Sequence, residues 1–284
     1  MKAILSKVSR GISLREYSTI KIGGYAEYFF HVRNTEDLFS IIRELNRPFY
    51  ILGAGSNLLI KDGVIEKPVV KLCGEFNYVR QYGDLVEAGA AIPFNSLLGF
   101  CSKNLLSGVE NLSGIPATIG GLLATGASSY GSSLFSVLVR VQVIDKEGKI
   151  DVIDRKDIEF SYRNSSLSDF FILRAWFRLR KNTDIKNNIL KFIQLRIMSQ
   201  DFDFPSCGCI FKNHNDIPAG FLIESCGLKG LSCNDAQVSG KHANFIINKG
   251  KAGYGDVDYL IAKIKDKVYA KHGVVLEEEI VRWT

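Results

Sequence analysis

The 284 residues of this chain, 46% of them hydrophobic, suffice for two or three packed units and are typical of a globular protein. Residues 1–20 are too polar for a signal-peptide core and no apolar run approaches the roughly 20 residues that span a bilayer, so we expect a cytoplasmic protein that does not bind membranes. The net charge of +6 favours anionic partners, but the scattered Lys and Arg residues disfavour nucleic acid and suit phosphorylated small molecules as well.

The amino-terminal half is predicted to mix short helices and strands. Thr35 can cap a helix that ends before Pro48 and whose apolar face consists of Leu38, Ile41, Ile42 and Leu45. A buried strand over 49–52 and further strands over 68–72 and 85–90 follow. A helix from about Phe94 to Leu106 is expected to take Gly108 as its C-cap.

The second half continues this irregular order. Residues 137–145 and 150–154 predict a β-hairpin, and 171–180 predict another strand. A helix over 183–198 leads to a carboxyl-terminal unit, in which a second helix is closed by Gly273 and a last strand covers 274–283. The absence of a regular βαβ rhythm predicts an α+β fold rather than a doubly wound sheet.

Two glycine-rich segments are candidates for holding a phosphate-bearing ligand. Residues 53–57 read Gly-Ala-Gly-Ser-Asn and follow a strand, but Leu58 stands where a dinucleotide fingerprint needs its third glycine. Such a loop can still present N–H groups to a diphosphate, although a plain turn fits equally well. The segment 113–121 has the same character, so the pair predicts a long pyrophosphate ligand between them; a tightly packed internal turn is the alternative.

The six cysteines are expected to be reduced thiols, because the chain is large and carries no secretion signal. Cys207 and Cys209 lie one residue apart, which could indicate a metal ligand pair, a redox couple or one reactive thiol. A zinc site needs four ligands, and no second matching pair exists in the sequence. We therefore expect no metal.

Several motifs in a fixed order carry a family resemblance that runs from about residue 15 to 283. They are Ser18–Gly24, Gly53–Asn57, Ser113–Gly121, Ser161–Ser165, Gly208–Asn213, Gly227–Gly230 and Val238–Asn244. In this order the motifs resemble the UDP-N-acetylenolpyruvoylglucosamine reductase (MurB) family. Only a short stretch of sequence separates Arg163 from Gly208. In this respect the chain resembles the compact, type II-like subtype, which lacks an inserted loop that covers the substrate.

The resemblance implies an FAD-binding unit of the vanillyl-alcohol-oxidase (PCMH) type, with subdomains 1–68 and 69–182, and an α+β substrate-binding domain over 183–284. The last strand is a candidate to return to the FAD-binding unit. It further implies an NADPH-dependent, cytoplasmic, monomeric enzyme of peptidoglycan precursor synthesis. Hydride would pass from NADPH through FAD N5 to UDP-N-acetylglucosamine enolpyruvate, giving UDP-N-acetylmuramate.

Three residues match the family's catalytic positions. Cys209 stands at the proton-donor position, where many members have serine, and a thiol with an ordinary pKa of about 8.5 keeps that role. Arg163 matches the arginine that contacts the substrate carboxylate, for which its fork of donors is suited. Glu279 matches the carboxyl-terminal glutamate, with Glu277 in reserve, because alternate residues of a strand share a face.

The two glycine segments match the family's FAD contacts, which would be Gly53, Ala54, Gly55, Ser56, Asn57, Ser113, Gly114, Ile115, Pro116, Thr118, Ile119, Gly120 and Gly121. Substrate contacts would come from Lys212, Asn213 and His242, although a packed histidine fits the last position nearly as well. The chain departs from the family at Gly126, where an asparagine is usual, and at His214, which replaces a common proline.

Two other functions stay open. A flavin-dependent sugar or alcohol oxidase could use the same cofactor fold, but such enzymes often tether flavin through a histidine. None of the four histidines lies in the amino-terminal cofactor loops. A UDP-sugar-binding protein without catalysis is the third hypothesis, and the retained Cys209, Arg163 and Glu279 argue against it.

Overall fold

The computed structural model describes residues 8–45 and 47–284. Residues 1–7 of the amino-terminal segment, which was judged too polar for a signal peptide, lie outside the described residues. The described residues form two compact units. One comprises the described residues among positions 1–9, 28–54 and 67–195, and the other comprises 10–27, 55–66 and 196–284. Each unit is thus assembled from segments far apart in the sequence. The three-part division into domains stays a prediction.

The described part of the chain contains six α-helices and six short 3-10 helices. The α-helices are Thr35–Leu45, Phe94–Lys103, Ile119–Ala124, Ile185–Ser199, Ala219–Ser225 and Tyr254–His272. The 3-10 helices are Leu14–Tyr17, Gly74–Phe76, Glu110–Leu112, Leu134–Ser136, Arg155–Asp157 and Ser166–Asp169. None of the helices in these described ranges is long and apolar enough to cross a membrane.

The longest helix follows its predicted apolar periodicity. Helix Tyr254–His272 buries the stripe Val257, Leu260, Ile261, Ile264 and Val268. Gly273 closes this helix in the left-handed conformation, with φ of 67°, and donates its N–H to the Tyr269 carbonyl at 2.8 Å. The predicted C-cap is therefore confirmed, since only glycine adopts this conformation without steric cost.

The helix that begins at Phe94 ends earlier than predicted. It stops at Lys103, where the Asn104 side chain donates to the Phe100 carbonyl at 2.9 Å and Leu105 takes a positive φ of 55°. The prediction of Gly108 as its C-cap is wrong. Gly108 instead lies in a close approach, because a Cβ there would come within 2.9 Å of Val137 Cγ1.

The first unit contains two main sheets. One is four-stranded, with the strand order Val8–Ser9, Phe29–Val32, Val69–Leu72, Tyr50–Ile51. The other is five-stranded and antiparallel, with the strand order Ile150–Asp154, Leu138–Ile144, Phe171–Arg178, Leu85–Gly89, Val79–Tyr82. Three further pairs are Leu106–Ser107 with Arg180–Lys181, Ser128–Ser129 with Ser132–Ser133, and Phe160–Ser161 with Asn164–Ser165. The strand predicted as buried over 49–52 is only Tyr50–Ile51, and Ile51 is 42% exposed because this strand lies at a sheet edge.

The second unit is built on a four-stranded antiparallel sheet and two smaller ones. The four-stranded sheet has the order Ser206–Cys209, Phe245–Asn248, Ala236–Val238, Ser232–Cys233. A three-stranded sheet has the order Ile12–Ser13, Tyr25–Ala26, Val64–Ile65, and a two-stranded sheet pairs Leu58–Ile60 with Val281–Trp283. The last pair is parallel and joins the end of the chain to the segment after the first glycine loop. The last strand is therefore shorter than the predicted 274–283. Mixed pairing and irregular helix order confirm the α+β class.

Candidate active site

The two predicted glycine segments meet in the first unit at Gly53. A Cβ at Gly53 would lie 2.9 Å from Thr118 Oγ1, so only glycine fits there without a shift. Thr118 caps helix Ile119–Ala124, and its hydroxyl accepts the Gly121 N–H at 3.2 Å. Lys71 donates from Nζ to the Gly53 carbonyl at 2.9 Å. The structure thus brings together three predicted cofactor residues and one lysine that the motifs did not indicate.

The rest of the second glycine segment is fixed largely by its own main chain. Gly120 donates to the Ala90 carbonyl at 2.9 Å, and Ser113 is buried with its hydroxyl donating to the Glu110 carbonyl at 2.6 Å. Ile119 is fully buried in the core. Because the Ile119 side chain packs in the core, a ligand could contact only the peptide groups of this residue.

Residues Gly55–Asn57 of the first glycine loop belong to the second unit. Gly55 has φ of 69°, and a Cβ there would lie 1.8 Å from the Tyr17 carbonyl oxygen. The Gly55 carbonyl accepts the Thr19 N–H at 3.1 Å, and Thr19 Oγ1 donates to the Ser206 carbonyl at 2.7 Å. The threonine therefore links this loop to the strand that ends at Cys209.

Cys209 lies at the end of strand Ser206–Cys209, after a local irregularity. The pairing with strand Phe245–Asn248 shifts register between Ser206 and Cys209, and Gly208 takes a positive φ of 79°. An ideal Cβ at Gly208 would lie 3.9 Å from the Ser56 carbonyl oxygen. Irregularities of this kind re-aim a side chain and are common beside active sites. Gly208, the residue before half-buried Cys209, thus lies close to the loop that contains Ser56.

Cys207 has a different environment from Cys209. Its side chain is 1% exposed within the core of the second unit, and burial raises the pKa of its thiol to about 12. All six cysteines carry thiols rather than disulfides. Among the described residues, 8–45 and 47–284, no group of three or more His, Cys, Asp or Glu side chains could hold a metal ion.

The three consecutive glutamates have separate surroundings. Glu277 forms an ion pair with Lys212 at 3.4 Å, and Glu278 bonds Lys265 at 2.5 Å and Arg282 at 2.6 Å. Glu279 donates its N–H to the Ile210 carbonyl at 2.8 Å. The main chain of Glu279 is therefore bonded to Ile210, the residue that follows Cys209.

The carboxyl group of Glu278 is stabilised in its charged form. Burial raises its pKa, but hydrogen bonds from Arg282 and Lys265 outweigh burial, and the net pKa lies below its ordinary value. Arg282 also bonds Asp258 and Tyr254, each at 2.7 Å. Glu278 is thus part of a structural ion-pair network.

The three predicted substrate residues lie in the second unit. Lys212 pairs with Glu277 as described, and Asn213 Oδ1 accepts the Ala219 N–H at 3.1 Å at the start of helix Ala219–Ser225. The His242 ring lies 4.6 Å from the Phe245 ring, and burial lowers the pKa of this histidine. Its Nδ1 is buried without a hydrogen-bond partner within the described ranges. Burial therefore favours the neutral form of this imidazole.

Arg163 lies in the first unit at the tip of a tight hairpin. Phe160 and Ser161 pair with Ser165 and Asn164, so Tyr162 and Arg163 form the two-residue loop. Arg163 has φ of 57° and donates from Nη1 to the Ser128 carbonyl at 3.3 Å. A positive φ costs a non-glycine residue about 1–2 kcal/mol, and such strain is common at functional sites.

Gly126 lies beside the Arg163 hairpin, at the position where the resemblance leads one to expect asparagine. Its φ is 61°, and a Cβ would come within 2.7 Å of the Asn164 carbonyl oxygen. A side chain therefore does not fit at this position unless the Asn164 backbone moves.

The sequence analysis gave no role to four residues near the predicted ones: Thr19, Lys71, Asn244 and Ser18. Of these, Ser18, Thr19 and Asn244 lie within the family motifs and Lys71 does not. Asn244 bonds the main chain of Phe211 with both ends of its amide. Ser18 Oγ is buried and has no hydrogen-bond partner among the residues that the structure describes. Polar side chains within apolar stretches, as in Val69–Leu72 and Ala243–Ile247, are the signal that could have found Lys71 and Asn244.

Comparison with known proteins agrees with this arrangement. Residues 26–154 match the model of an FAD binding domain, and residues 200–283 match that of the UDP-N-acetylenolpyruvoylglucosamine reductase C-terminal domain. The fold and these matches define an FAD-binding oxidoreductase.

Known proteins that align with almost the whole chain show which family of oxidoreductases it belongs to. UDP-N-acetylenolpyruvoylglucosamine reductases from Clostridioides difficile and Chlamydia felis are 36% and 37% identical, and the alignments cover 94% and 96% of this chain and 90% and 93% of those proteins. The crystal structure of UDP-N-acetylenolpyruvylglucosamine reductase (MurB) from Thermus caldophilus matches with a TM-score of 0.87 and 31% identity, over 98% of this chain and 99% of that one. The chain belongs to the UDP-N-acetylenolpyruvoylglucosamine reductase family. The predicted α+β fold with an FAD-binding unit of the vanillyl-alcohol-oxidase type is confirmed.

The residues present fit an FAD diphosphate. Gly53 leaves open the space beside Thr118 Oγ1 that a Cβ would fill, and Lys71 brings a positive charge to the same loop. Gly53, Thr118 and Lys71, all of the first unit, would hold the cofactor.

Proposed function

We propose that this chain reduces UDP-N-acetylglucosamine enolpyruvate to UDP-N-acetylmuramate with NADPH, in peptidoglycan precursor synthesis. Membership of the reductase family supports the reaction class. When bound, FAD would supply the redox chemistry that connects NADPH with the enolpyruvyl double bond. We further propose that the enzyme acts as a cytoplasmic monomer of the compact subtype.

Cys209 is the proposed proton donor. Its thiol gives a proton to the carbon next to the substrate carboxylate, and the resulting thiolate takes a proton back from solvent. The observation that carries this role is the register shift at Gly208, which separates half-buried Cys209 from the buried thiol of Cys207. A hydroxyl could serve in the same place, because serine also carries an exchangeable proton.

Arg163 and Glu279 are proposed to act on the same carboxylate-bearing group. The Arg163 guanidinium would bind the substrate carboxylate and stabilise the negative charge that develops there. Glu279 would polarise the intermediate or relay a proton. Lys212, Asn213 and His242 are proposed to contact the rest of the substrate, and the residues named above in the two glycine segments are proposed to contact FAD.

Stopped-flow absorbance of the flavin tests this proposal. It separates the step that depends on NADPH from the step that depends on the UDP-sugar. In Cys209→Ala we expect only the UDP-sugar step to slow, by about 100-fold, the usual contribution of a positioned acid. Near-normal turnover in this variant would contradict the role of Cys209. A colourless protein after reconstitution, or oxygen consumption with simple alcohols or aldoses, would contradict the reductase assignment itself.

A further inference from the structure

Asn244 is 3% exposed, and its amide bonds both main-chain groups of a single residue. Its Oδ1 accepts the Phe211 N–H at 2.9 Å, and its Nδ2 donates to the Phe211 carbonyl at 2.8 Å. Its own carbonyl accepts the Ile210 N–H at 2.9 Å. Asn244 therefore takes the place of a neighbouring strand for the two residues that follow Cys209: its main chain bonds Ile210 and its side chain bonds Phe211.

The opposite edge of the same segment is bonded to the glutamate run. The Ile210 carbonyl accepts the Glu279 N–H at 2.8 Å, and Lys212 donates its N–H to the Glu277 carbonyl at 2.9 Å. Phe211 and Glu278 form an isolated antiparallel bridge. The main chain between Cys209 and Lys212 is thus held between Asn244 on one side and residues 277–279 on the other.

Cys209 pairs with Phe245 across the sheet, but the ladder that leads to it is irregular. The register shift between Ser206 and Cys209 interrupts the ladder just before the cysteine, and Gly208 lies in the left-handed region. After Cys209, the main chain is next fixed by the bonds to Asn244. An error in the position of Phe211 would therefore be transmitted directly to Cys209 and to Glu279.

We propose that Asn244 is a positioning residue that sets Cys209 against the main chain of Glu279 for proton transfer. The proposal rests on the proposed role of Cys209 as proton donor. Asn244 acts through Phe211 and need not contact substrate or cofactor. Displacements of about 1 Å at a reacting group can cost about 100-fold in rate, so a lost amide bond is sufficient to be measured.

The test uses Asn244→Asp in the holoenzyme. The substitution keeps an acceptor for the Phe211 N–H but sets an oxygen against the Phe211 carbonyl where the amide donated. We expect the UDP-sugar step to slow by about tenfold or more, while the NADPH step changes by less than about twofold. We also expect the alkylation rate of Cys209 by iodoacetamide, followed by peptide mass spectrometry, to change by at least about threefold.

Asn248→Asp is the matched control. Asn248 lies four residues further on, is 2% exposed, and likewise uses both ends of its amide, donating to the Ile20 carbonyl and accepting from the Gly250 and Ala252 N–H groups. It does not bond the segment after Cys209 through its side chain. We expect comparable loss of thermal stability, with both readouts within about twofold of the native enzyme.

Equal effects of the two substitutions on the UDP-sugar step and on alkylation would overturn the proposal, since Asn244 would then only stabilise the fold. If Asn244→Asp does not accumulate as folded protein, Asn244→Ala carries the same expectation. Failure of the proposed function has a different signature: Cys209→Ala would leave the UDP-sugar step unchanged. Alkylation would even then report whether Asn244 positions the thiol.

Discussion

The side-chain amide of Asn57 donates a hydrogen bond of 3.1 Å to the main-chain carbonyl of Glu279, 222 residues later in the sequence. The Asn57 carbonyl in turn accepts the Val281 N–H at 2.9 Å. A residue of the first glycine loop therefore fixes the proposed catalytic glutamate. Asn57 was predicted to contact the cofactor, and its amide also has this internal role.

The three glutamates should respond differently to the same substitution. We expect Glu279→Gln to lower kcat by about 100-fold with little loss of stability, because a catalytic proton relay or polarising charge is lost. Glu277→Gln removes only an exposed pair with Lys212 and should cost about 0–1 kcal/mol, with kcat nearly unchanged. Steady-state kinetics and chemical unfolding measure both effects. A larger loss of kcat in Glu277→Gln would transfer the role to that residue.

Glu278→Gln should be a stability variant whose effect depends on pH. The folded-state pKa of Glu278 is depressed, so its stabilisation is present above the unfolded pKa of about 4.3 and is lost as the pH falls through the folded value. We expect a loss of about 2 kcal/mol at pH 7, as for a charge-assisted hydrogen bond, and a shrinking difference below pH about 4. Urea unfolding at several pH values tests this. A difference that does not vary with pH would contradict the ion-pair explanation.

Cys209 and Cys207 should differ in both reactivity and necessity. At pH 8 iodoacetamide should label Cys209 and leave Cys207 unlabelled until the protein is denatured, because Cys207 is buried and burial raises its pKa to about 12. Saturating UDP-sugar should protect Cys209.

The substitutions extend this contrast. Cys209→Ser should remain active because the hydroxyl can donate a proton, whereas Cys209→Ala should not. Cys207→Ala, the matched control, should keep its turnover and lose about 1 kcal/mol of stability, a typical cost for one core substitution. Rapid labelling of Cys207 in the native protein would show that its burial is not maintained in solution.

Gly53→Ala should weaken cofactor retention. Its new Cβ would meet Thr118 Oγ1 at 2.9 Å, displacing the cap of helix Ile119–Ala124 or the loop itself. We expect the flavin dissociation constant to rise by about tenfold or more, which corresponds to about 1.4 kcal/mol. Flavin fluorescence during dilution or titration provides the measurement.

Gly99→Ala is the matched control for the Gly53 substitution. Gly99 lies inside helix Phe94–Lys103, and a Cβ there meets nothing within 4 Å. The variant should bind flavin normally and gain about 0.5–1 kcal/mol of stability, because alanine is the better helix former. Equal flavin loss in both variants would argue against a specific role for the Gly53 loop.

Local sequence patterns predicted the elements that depend on neighbours in the chain. Helix Thr35–Leu45, the hairpin of 138–144 with 150–154 and the Gly273 cap follow from periodicity and turn residues. Gly108 was misassigned because Leu105 takes the left-handed conformation instead, which propensity disfavours.

The sequence patterns did not predict the contacts between distant segments. The pairing of Leu58–Ile60 with Val281–Trp283, and the approach of Gly53 to Thr118, depend on register across long loops, for which no local signal exists. The candidate catalytic residues came from family motifs. Asn244 lies in one of these motifs, but its role was not predicted because that role is set by Phe211, 33 positions earlier in the sequence.

The parallel pair between Leu58–Ile60 and Val281–Trp283 constrains the order of folding during synthesis. Ribosomes add residues from the amino terminus at about 5–20 per second, so segments 10–27 and 55–66 emerge roughly ten seconds or more before their last strand partner. During that interval Leu59 and Ile60, both buried in the finished unit, lack their permanent neighbours. Nascent chains stalled before residue 281 should therefore expose a short apolar strand edge that chaperones can bind.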